Sequence, residues 1–394
     1  MHPYEIAIIG GGIGGLASAI ALARRGAKVT VYERAESPGP VGAGFLLQPP
    51  GQAVLGKLGV LDDVLTHAVP ITGLQSKTTA GYAILDLDYR DLRGPPRHGL
   101  GVQRSTIYSA LYHEALRCDD IEFRWGHTVD TVATDEAAAS VRVGGDSASY
   151  DLCVLSAGAN SDLTDQLFHR RTNKAYAWGC VWTTIDLPSG FAPDLLHQRC
   201  RRADRMMGIL PVLKEHGGYK AALYWSVKVA DVRRADVAQS AQIKRALIDF
   251  WPEAASSIEP LEQGDLISAT YRDVWTPKPY AGRLVAIGDA CHATSPQLGQ
   301  GCTMALLDAY LLACGLEQGA GNIDAALERW WRRRQWQLQY VRQLSRFLTP
   351  LYQSDHASFG VFRNAVVAPT GRLPGFYSLQ LKTLASEVFL PSID

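Results

Sequence analysis

The sequence predicts an α/β protein with a nucleotide-binding domain, a second domain built on an antiparallel sheet, and a C-terminal helical segment. Three patterns lead to this prediction. A strand, a glycine-rich turn and a helix follow one another between residues 5 and 25. Alternating strand patterns fill the chain from about 170 to 270, and a long helical pattern begins at Ile323.

Length and composition are those of a globular protein with two or three domains. The chain has 394 residues, of which 47% are hydrophobic and 20% are charged, and this composition excludes wholesale disorder. Its 39 basic and 39 acidic residues cancel, whereas a nucleic-acid-binding protein usually carries a basic excess. We therefore expect no nucleic-acid partner.

The cysteines and the apolar segments favour a cytoplasmic protein. The seven cysteines are odd in number and none are spaced as Cys-x-x-Cys, so no disulfide framework and no metal site is predicted. Free thiols are typical of a reducing cytosol. Residues 6–23 carry no charge, but five glycines between Gly10 and Gly15 favour a strand, turn and helix over a membrane span. No signal peptide is visible.

The N-terminal turn carries the pattern G-x-G-x-x-G at Gly10, Gly12 and Gly15. Gly10 permits a tight turn, Gly12 lets the backbone approach a pyrophosphate, and Gly15 lets the helix pack on the strand. A second strand ends at Glu33, whose carboxylate can accept hydrogen bonds from an adenosine ribose. Arg34 either reaches the adenine or is solvated. This order of elements predicts a Rossmann-like unit that binds an adenine dinucleotide, either FAD or NAD.

A second pattern separates these two cofactors. A strand at 283–287 runs into Gly288-Asp289-Ala290-Cys291-His292, and a proline, two glycines and a helix follow. Together with the N-terminal motif, this order resembles the FAD-dependent aromatic hydroxylases, the single-component flavoprotein monooxygenases built like p-hydroxybenzoate hydroxylase. The resemblance extends from the N-terminus to about residue 345 and implies that the bound dinucleotide is FAD.

The resemblance also implies which further residues contact FAD. Asp289 is expected to bind a hydroxyl of the ribityl chain. The helix that starts near Gly301 is expected to point its N–H groups at the pyrimidine edge of the flavin, where a helix N-terminus favours the anionic reduced form. The cofactor-binding residues implied outside the N-terminal motif are Gly44, Arg104, Asp289, Pro296, Gly299 and Gly301.

The sequence departs from the family pattern at several positions. The family usually has Ala-Asp-Gly-x-x-Ser and then an arginine after a buried strand, but here Ala157 replaces the aspartate and Thr164 replaces the arginine. In the family this region is linked to both FAD and NAD(P)H, so the handling of the nicotinamide cofactor is in question. Thr303 and Leu307 are smaller departures. His292 is either a hydrogen-bonded structural residue or a proton shuttle.

Aromatic residues alternate in the middle of the chain. Tyr176, Trp178 and Trp182 share one face of a strand by its two-residue period, and Tyr224 lies on a neighbouring strand with its side chain opposite to that of Trp225. In the family such a sheet covers the substrate pocket. These four residues and Pro296 are therefore candidate pocket residues, although an aromatic stripe is often core packing.

The patterns divide the chain into three predicted parts. The FAD-binding domain takes 1–72, 100–168 and 270–345, the substrate domain takes 73–99 and 169–269, and the C-terminal tail takes 346–394. Pro350 is expected to end the long helix, and the tail is expected to be rich in loops, with one helix near 379–388. Residues 328–334 predict an amphipathic helix with packed tryptophans and solvated arginines.

The resemblance implies an FAD-dependent monooxygenase acting on an aromatic or heteroaromatic small molecule. NADH or NADPH would reduce FAD, and O2 would then form a flavin C4a-hydroperoxide that hydroxylates the ring. No catalytic side chain is predicted, because the cofactor carries this chemistry. A flavoprotein oxidase, a redox-neutral flavoenzyme and a non-catalytic flavin-binding protein remain alternatives. We expect a monomer or homodimer that acts on a small molecule without a membrane partner.

Overall fold

A mostly parallel sheet of six strands carries both glycine motifs, as the sequence predicts. The computed structural model describes residues 4–39, 42–232, 237–262, 264–319 and 321–393. Only the edge strand Tyr280–Ala281 is antiparallel to its neighbour, and all other pairs are parallel. The strands pair in the order Tyr280–Ala281, Leu284–Ala286, Leu152–Leu155, Glu5–Ile9, Lys28–Glu33 and Ile121–Trp125.

The two faces of this sheet are buried against different layers. Ile6 and Ile8 pack in the main core with the helix Ile13–Ala23. Ala7 and Ile9 pack on the other side with a three-stranded sheet. Because alternate residues enter opposite cores, the strand Glu5–Ile9 is a nearly continuous apolar run. The three-stranded sheet consists of Thr131–Thr134, Ala139–Val143 and Asp146–Tyr150, and a second small sheet consists of Phe45–Leu47, Val69–Ile71 and Gly99–Val102.

The middle of the chain forms a sheet of seven strands. Its order is Ile267–Trp275, Thr172–Asp186, Gly218–Lys228, Arg205–Glu215, Leu195–Arg201, Gly73–Thr78 and Ala83–Asp88. Residues 73–99, which the sequence assigns to the substrate domain, add strands here, because Gly73–Thr78 pairs in parallel with Leu195–Arg201. All other pairs are antiparallel. The predicted domain boundaries themselves stay a prediction.

One face of the seven-stranded sheet is closed by helices. Val181, Leu223 and Trp225 lie in a core with Phe250 and other residues of the following helical segment. The opposite face turns towards the nucleotide-binding part, since Leu210, Ala222 and Tyr224 share a cluster with Leu46. Tyr224 and Trp225 therefore point to opposite faces, as predicted. We call the face that carries Tyr224 the inner face.

The C-terminal segment is more helical than the sequence suggests. The long helix Ile323–Tyr352 runs through Pro350, so the prediction that this proline ends it is wrong. The expected loop-rich tail is wrong as well, because it contains Ala357–Phe362, the π-helical Arg363–Val367, Ala368–Thr370 and Pro374–Leu384. The last helix lies earlier than the predicted 379–388. Apolar side chains such as Leu381 and Leu384 pack against the inner face and anchor this segment.

The remaining helices connect these layers. The α-helices are Pro49–Lys57, Leu61–Leu65, Arg104–Ala115, Asp162–Leu167, Val229–Val232, Val237–Phe250, Ala255–Ile258, Asp289–His292 and Gly301–Gln318. Short 3-10 helices occur at Tyr89–Asp91, Pro252–Ala254 and Pro296–Leu298. In the part of the chain that the structure describes, no helix combines the length and the apolar character needed to cross a bilayer. All seven cysteines are free thiols.

Candidate active site

The N-terminal glycine turn is packed too tightly for larger residues at two of its three positions. Gly10 has φ +106°, and a Cβ there would lie 2.7 Å from the carbonyl oxygen of Ser156. A Cβ on Gly15 would lie 2.0 Å from the carbonyl oxygen of Gly10. No atom lies within 4 Å of a Cβ built on Gly12. The turn is therefore closed on the protein side and open at the helix N-terminus, where a pyrophosphate would bind.

Glu33 lies at the end of its strand, where the sequence places it, and it is half-buried. Its Oε2 accepts a hydrogen bond of 2.7 Å from the backbone N–H of Gly11, and its Oε1 accepts one of 3.0 Å from Ala35. These bonds hold the carboxylate beside the glycine turn and leave oxygen lone pairs for a ribose. The next residue, Arg34, is exposed.

The second motif forms a tight turn in front of a long helix. Gly288 has φ +57°, which a residue with a side chain rarely adopts. Asp289 follows it, is exposed, and makes no hydrogen bond or ion pair with the described residues. Its Oδ1 lies 3.9 Å from a Cβ built on Gly301, the first residue of the helix Gly301–Gln318. A carboxylate and a positive helix end thus meet at one place.

Arg104 reaches the same place from a different helix. It is the first residue of the helix Arg104–Ala115, and its Cδ lies 2.8 Å from a Cβ built on Gly42. Burial raises the pKa of the Cys302 thiol to about 12, while Arg104 lowers it and Asp289 raises it. Both charges therefore act on the first turn of the helix that begins at Gly301. The exposed guanidinium has no ion-pair partner among the described residues.

A buried ion cluster supports this turn from behind. Asp308 accepts a hydrogen bond of 3.0 Å from the backbone N–H of Gly288, contacts His292 Nε2 at 2.5 Å, and accepts one of 2.7 Å from Arg334 Nε. Asp308 and Arg334 are fully buried. Burial raises the pKa of the Asp308 carboxyl, but the charges of His292 and Arg334 outweigh it and lower that pKa to about 2. Of the two interpretations of His292, this geometry favours the structural one.

Arg334 corrects one sequence expectation. The tryptophans at 330 and 331 are packed as predicted, but the arginines of this helix are not all solvated, because Arg334 has no exposed surface. A signal existed in the sequence. Arg334 lies four residues after Trp330 and four residues before Leu338. This spacing places it on the buried stripe of the helix. A charged residue on such a stripe indicates a buried partner.

The predicted pocket residues lie in three different surroundings. Trp182 pairs with Tyr224, and Tyr224 pairs with Gly208 on the next strand, so the two aromatic side chains share the inner face. Trp178 lies on the same row but pairs with Lys228, whose ammonium lies 5.8 Å from the centre of its ring.

Tyr176 lies where the pairing of its strand is irregular. A register shift between Ala175 and Gly179 interrupts the pairing with the outer strand. Burial raises the pKa of the Tyr176 phenol, which lies against Ser295, the residue before Pro296. Neither this register shift nor Tyr271, whose buried hydroxyl lies beside Cys180 on the inner face, was predicted from the sequence.

The loop at residues 42–44, which we call the flavin loop because Gly44 is expected to contact FAD, meets the inner face at Gly44. A Cβ built there would lie 2.6 Å from Cγ1 of Val212, a residue of the seven-stranded sheet. Pro296 and Gly299 lie between the helix Asp289–His292 and the helix Gly301–Gln318. Pro296 is exposed, and Gly299 has φ +62°. Beside it, the Gln300 side-chain amide donates to the carbonyl of Thr383 in the last helix. The C-terminal segment therefore adjoins the site, which the sequence did not predict.

These residues fit FAD. The glycine turn is open where a pyrophosphate would lie, Glu33 is held at the ribose position, and unpaired charges at Arg104 and Asp289 flank a helix N-terminus. A family model described as an FAD binding domain matches residues 3–321. The chain belongs to this family.

Two relatives and one solved structure extend the comparison. The chain is 30% identical over 350 residues to YetM of Bacillus subtilis, which is named as an FAD-dependent monooxygenase, and the match covers 86% of this chain and 91% of YetM. It is 26% identical over 387 residues to the 6-hydroxynicotinate 3-monooxygenase of Pseudomonas fluorescens, covering 93% and 97% of the two chains. A variant of HpxO from Klebsiella pneumoniae, solved with FAD, has the same fold with a TM-score of 0.81 at 20% identity, over 97% of this chain and 99% of that one.

The family membership settles the class of enzyme. The chain is an FAD-dependent monooxygenase and hence an oxidoreductase. The resemblance stated from the two glycine motifs is confirmed, as is the α/β fold with a C-terminal helical region. The individual cofactor-binding and pocket residues stay predictions.

Proposed function

We propose that this enzyme hydroxylates an uncharged aromatic or heteroaromatic ring bound between the flavin and the inner face, with NADH or NADPH as reductant. The observation that carries the proposal is the junction at Gly44, where the flavin loop touches Val212 of the sheet. Bound FAD supplies the redox and oxygen chemistry. The protein binds the ring, orients it and excludes water around it.

The inner face favours a ring without charge. Between the strand ends its paired residues are neutral, namely Cys180, Trp182, Thr184, Gln198, Cys200, Met206, Gly208, Leu210, Ala222, Tyr224 and Ser226. Charged residues on the same face lie at the strand ends, where Lys220 pairs with Asp186 and Lys228 pairs with Asp355. The buried guanidinium of Arg363 lies near Cys200 and donates through Nη1 to the carbonyl of Leu351 and through Nε to Asn364, whereas its Nη2 has no hydrogen-bond partner among the described residues. Because both lysines are already paired, a carboxylate on the substrate would be desolvated on these rows with Arg363 Nη2 as its one unpaired cationic partner among the residues named here.

Substrate-gated flavin reduction tests the proposal. Flavin absorbance is followed anaerobically after adding NADH or NADPH, with neutral phenols and heteroaromatic compounds and with their carboxylated analogues. We expect a neutral ring to accelerate bleaching and its carboxylated analogue to have little effect. Faster bleaching with carboxylated compounds would contradict the uncharged-ring proposal and implicate Arg363. No bleaching with either nucleotide and any ring would contradict direct reduction and point to a partner reductase.

Trp182→Ala is expected to weaken binding of the ring without changing the flavin content. Trp182 is half-buried and directly opposite Tyr224, and loss of its apolar surface should raise the concentration of ring compound for half-maximal bleaching by about tenfold or more. The matched control is Trp336→Ala, because Trp336 is 62% exposed on the long helix. An unchanged concentration dependence in Trp182→Ala would remove Trp182 from the pocket.

Asp289→Ala is expected to weaken FAD binding by about tenfold or more, because a charge-assisted hydrogen bond to the cofactor is lost. The apoprotein should keep its thermal midpoint, since the exposed carboxylate bonds to no described residue. Asp62→Ala, at an exposed position in the first turn of another helix, is the control and should leave FAD binding unchanged. Equal FAD affinity of Asp289→Ala and the unmodified protein would exclude the proposed contact.

We expect a monomer or homodimer in the cytoplasm. The seven free thiols support a reducing compartment. Light scattering on the purified holoenzyme measures the oligomeric state, and a stable tetramer would contradict this expectation.

A further inference from the structure

The two departures from the family motif leave the loop after the strand Leu152–Leu155 without its usual charges. Ala157 cannot accept a hydrogen bond through its side chain. Thr164 is fully buried, and its hydroxyl donates to Ser161 Oγ at 2.9 Å. Neither residue can connect this loop to the second glycine motif.

Arg171 makes that connection from seven residues further along the chain. Its Nε donates a hydrogen bond of 3.0 Å to the carbonyl oxygen of Ala290, and its Nη2 donates one of 3.1 Å to the carbonyl oxygen of Ala159. Its side chain has no exposed surface and forms an ion pair with Asp165. One guanidinium thus joins the altered loop to the residue that directly follows Asp289.

The geometry of these bonds suits arginine in particular. Nε and Nη2 lie on one edge of a rigid planar group, and each bonds a different carbonyl, so the distance between the two loops is fixed. A carbonyl that loses its donor in this buried place would remain unsatisfied. Because the side chain is buried, its charge is not presented to a nicotinamide cofactor from the surface.

We propose that Arg171 is a positioning residue for FAD that connects the loop after the strand Leu152–Leu155 to the second glycine motif in a chain that has threonine at position 164. It holds the carbonyl of Ala290, and so fixes the turn from which the Asp289 carboxylate meets the helix at Gly301. The proposal rests on the proposed contact between Asp289 and FAD. It assigns no chemical step to Arg171.

Titration of the apoprotein with FAD, followed by flavin fluorescence, measures the effect without using activity. Arg171→Gln is expected to weaken FAD binding by about ten- to hundredfold, the range for losing a charge-assisted hydrogen bond. Asn173→Ala is the matched control, because Asn173 Nδ2 also donates to the carbonyl of Ala159, at 3.0 Å, but does not bond Ala290. This control is expected to change the affinity by less than about twofold.

A double-mutant cycle separates positioning from general stability. If Arg171 acts through Asp289, then Arg171→Gln in the Asp289→Ala background should weaken FAD binding by less than about twofold more. A lowered thermal midpoint of the apoprotein with unchanged FAD affinity at a temperature where it is folded would overturn the proposal. The proposal would also be overturned if Arg171→Gln weakened FAD binding by the same factor in the Asp289→Ala background as in the unmodified protein.

Arg171→Lys and the comparison of the two single variants distinguish the remaining explanations. If Arg171→Gln does not fold, Arg171→Lys retains a positive charge near Asp165, but a single nitrogen cannot reproduce the two-nitrogen fork. Its FAD affinity should then fall, and normal affinity would overturn the proposal. If Asp289→Ala alone leaves FAD affinity unchanged, the proposed cofactor contact of Asp289 fails, whereas a loss in Asp289→Ala without one in Arg171→Gln refutes only the role of Arg171.

Discussion

Arg334→Met is expected to lower the free energy of unfolding by about 3–5 kcal/mol, the usual cost of leaving a buried charge without its partner. Arg334 and Asp308 are both fully buried and their Nε and Oδ1 atoms lie 2.7 Å apart. The substitution also removes the donor to Gln337, which holds the carbonyl of Ser386 at 2.9 Å. Asp308 would remain in the core with only His292, Gly288 and the surrounding dipoles.

The same cluster predicts how stability depends on pH. The pKa of Asp308 is about 2 in the folded protein and about 3.9 in an unfolded chain. A lowered folded-state pKa stabilises above the unfolded value, so this contribution is present above about pH 4 and is lost as the pH falls towards 2. In Arg334→Met one of the two cations is missing, so the pKa of Asp308 rises and the loss should begin at higher pH.

Urea unfolding at neutral pH and along an acid series measures both effects. Arg332→Met is the matched control, since Arg332 lies on the same helix with 72% of its side chain exposed and pairs with exposed Glu328, and such pairs contribute at most about 0.5 kcal/mol. The double variant Asp308→Asn, Arg334→Met should be less destabilised than the two single effects together. A stability of Arg334→Met within about 1 kcal/mol of the unmodified protein would show that this ion pair does not support the core.

The parts of the fold and site that the sequence predicted are those encoded by neighbouring residues. The first turn needs φ +106° at Gly10 and close packing at Gly15. Because only glycine meets either requirement, glycines occur at a fixed spacing between a strand and a helix. Gly288 and Asp289 follow a buried strand in the same way. Such local patterns were enough to predict that two motifs, far apart in the chain, each form a tight turn in front of a helix.

The parts that could not be predicted depend on contacts between distant residues. Arg171 bonds the carbonyl of Ala290 across 119 positions of the sequence, and nothing beside it in the chain marks that partner. The register shift between Ala175 and Gly179 depends on pairing with a strand almost a hundred residues away, so a simple two-residue period could not predict it. Pro350 lacks the N–H that would bond the carbonyl of Arg346, yet the helix continues to Tyr352 and the N–H of Gln353 bonds the carbonyl of Thr349 at 2.8 Å.

Gly12→Ala and Gly15→Ala are expected to impair FAD binding for different physical reasons. A Cβ on Gly15 would lie 2.0 Å from the carbonyl oxygen of Gly10 and 2.8 Å from Ser156 Oγ. Backbone must therefore move, and the apoprotein should lose about 1–3 kcal/mol of stability, the usual cost of overpacking. A Cβ on Gly12 meets no protein atom within 4 Å, so that apoprotein should remain nearly as stable as the unmodified one.

The methyl group on Gly12 would instead occupy space needed for the pyrophosphate. Overpacking of about 1–3 kcal/mol against the cofactor corresponds to FAD binding weakened by roughly 5- to 150-fold. Thermal unfolding of the apoproteins and FAD titration measure the two effects separately, and Gly375→Ala provides the same chemical change at an open helical position. Normal FAD affinity of Gly12→Ala would show that the pyrophosphate does not approach the backbone at Gly12, whereas a destabilised Gly12→Ala apoprotein would contradict the open space at this position. Gly15→Ala tests the packing of the helix on the strand. A stable Gly15→Ala apoprotein would mean that the turn can widen without loss of stability.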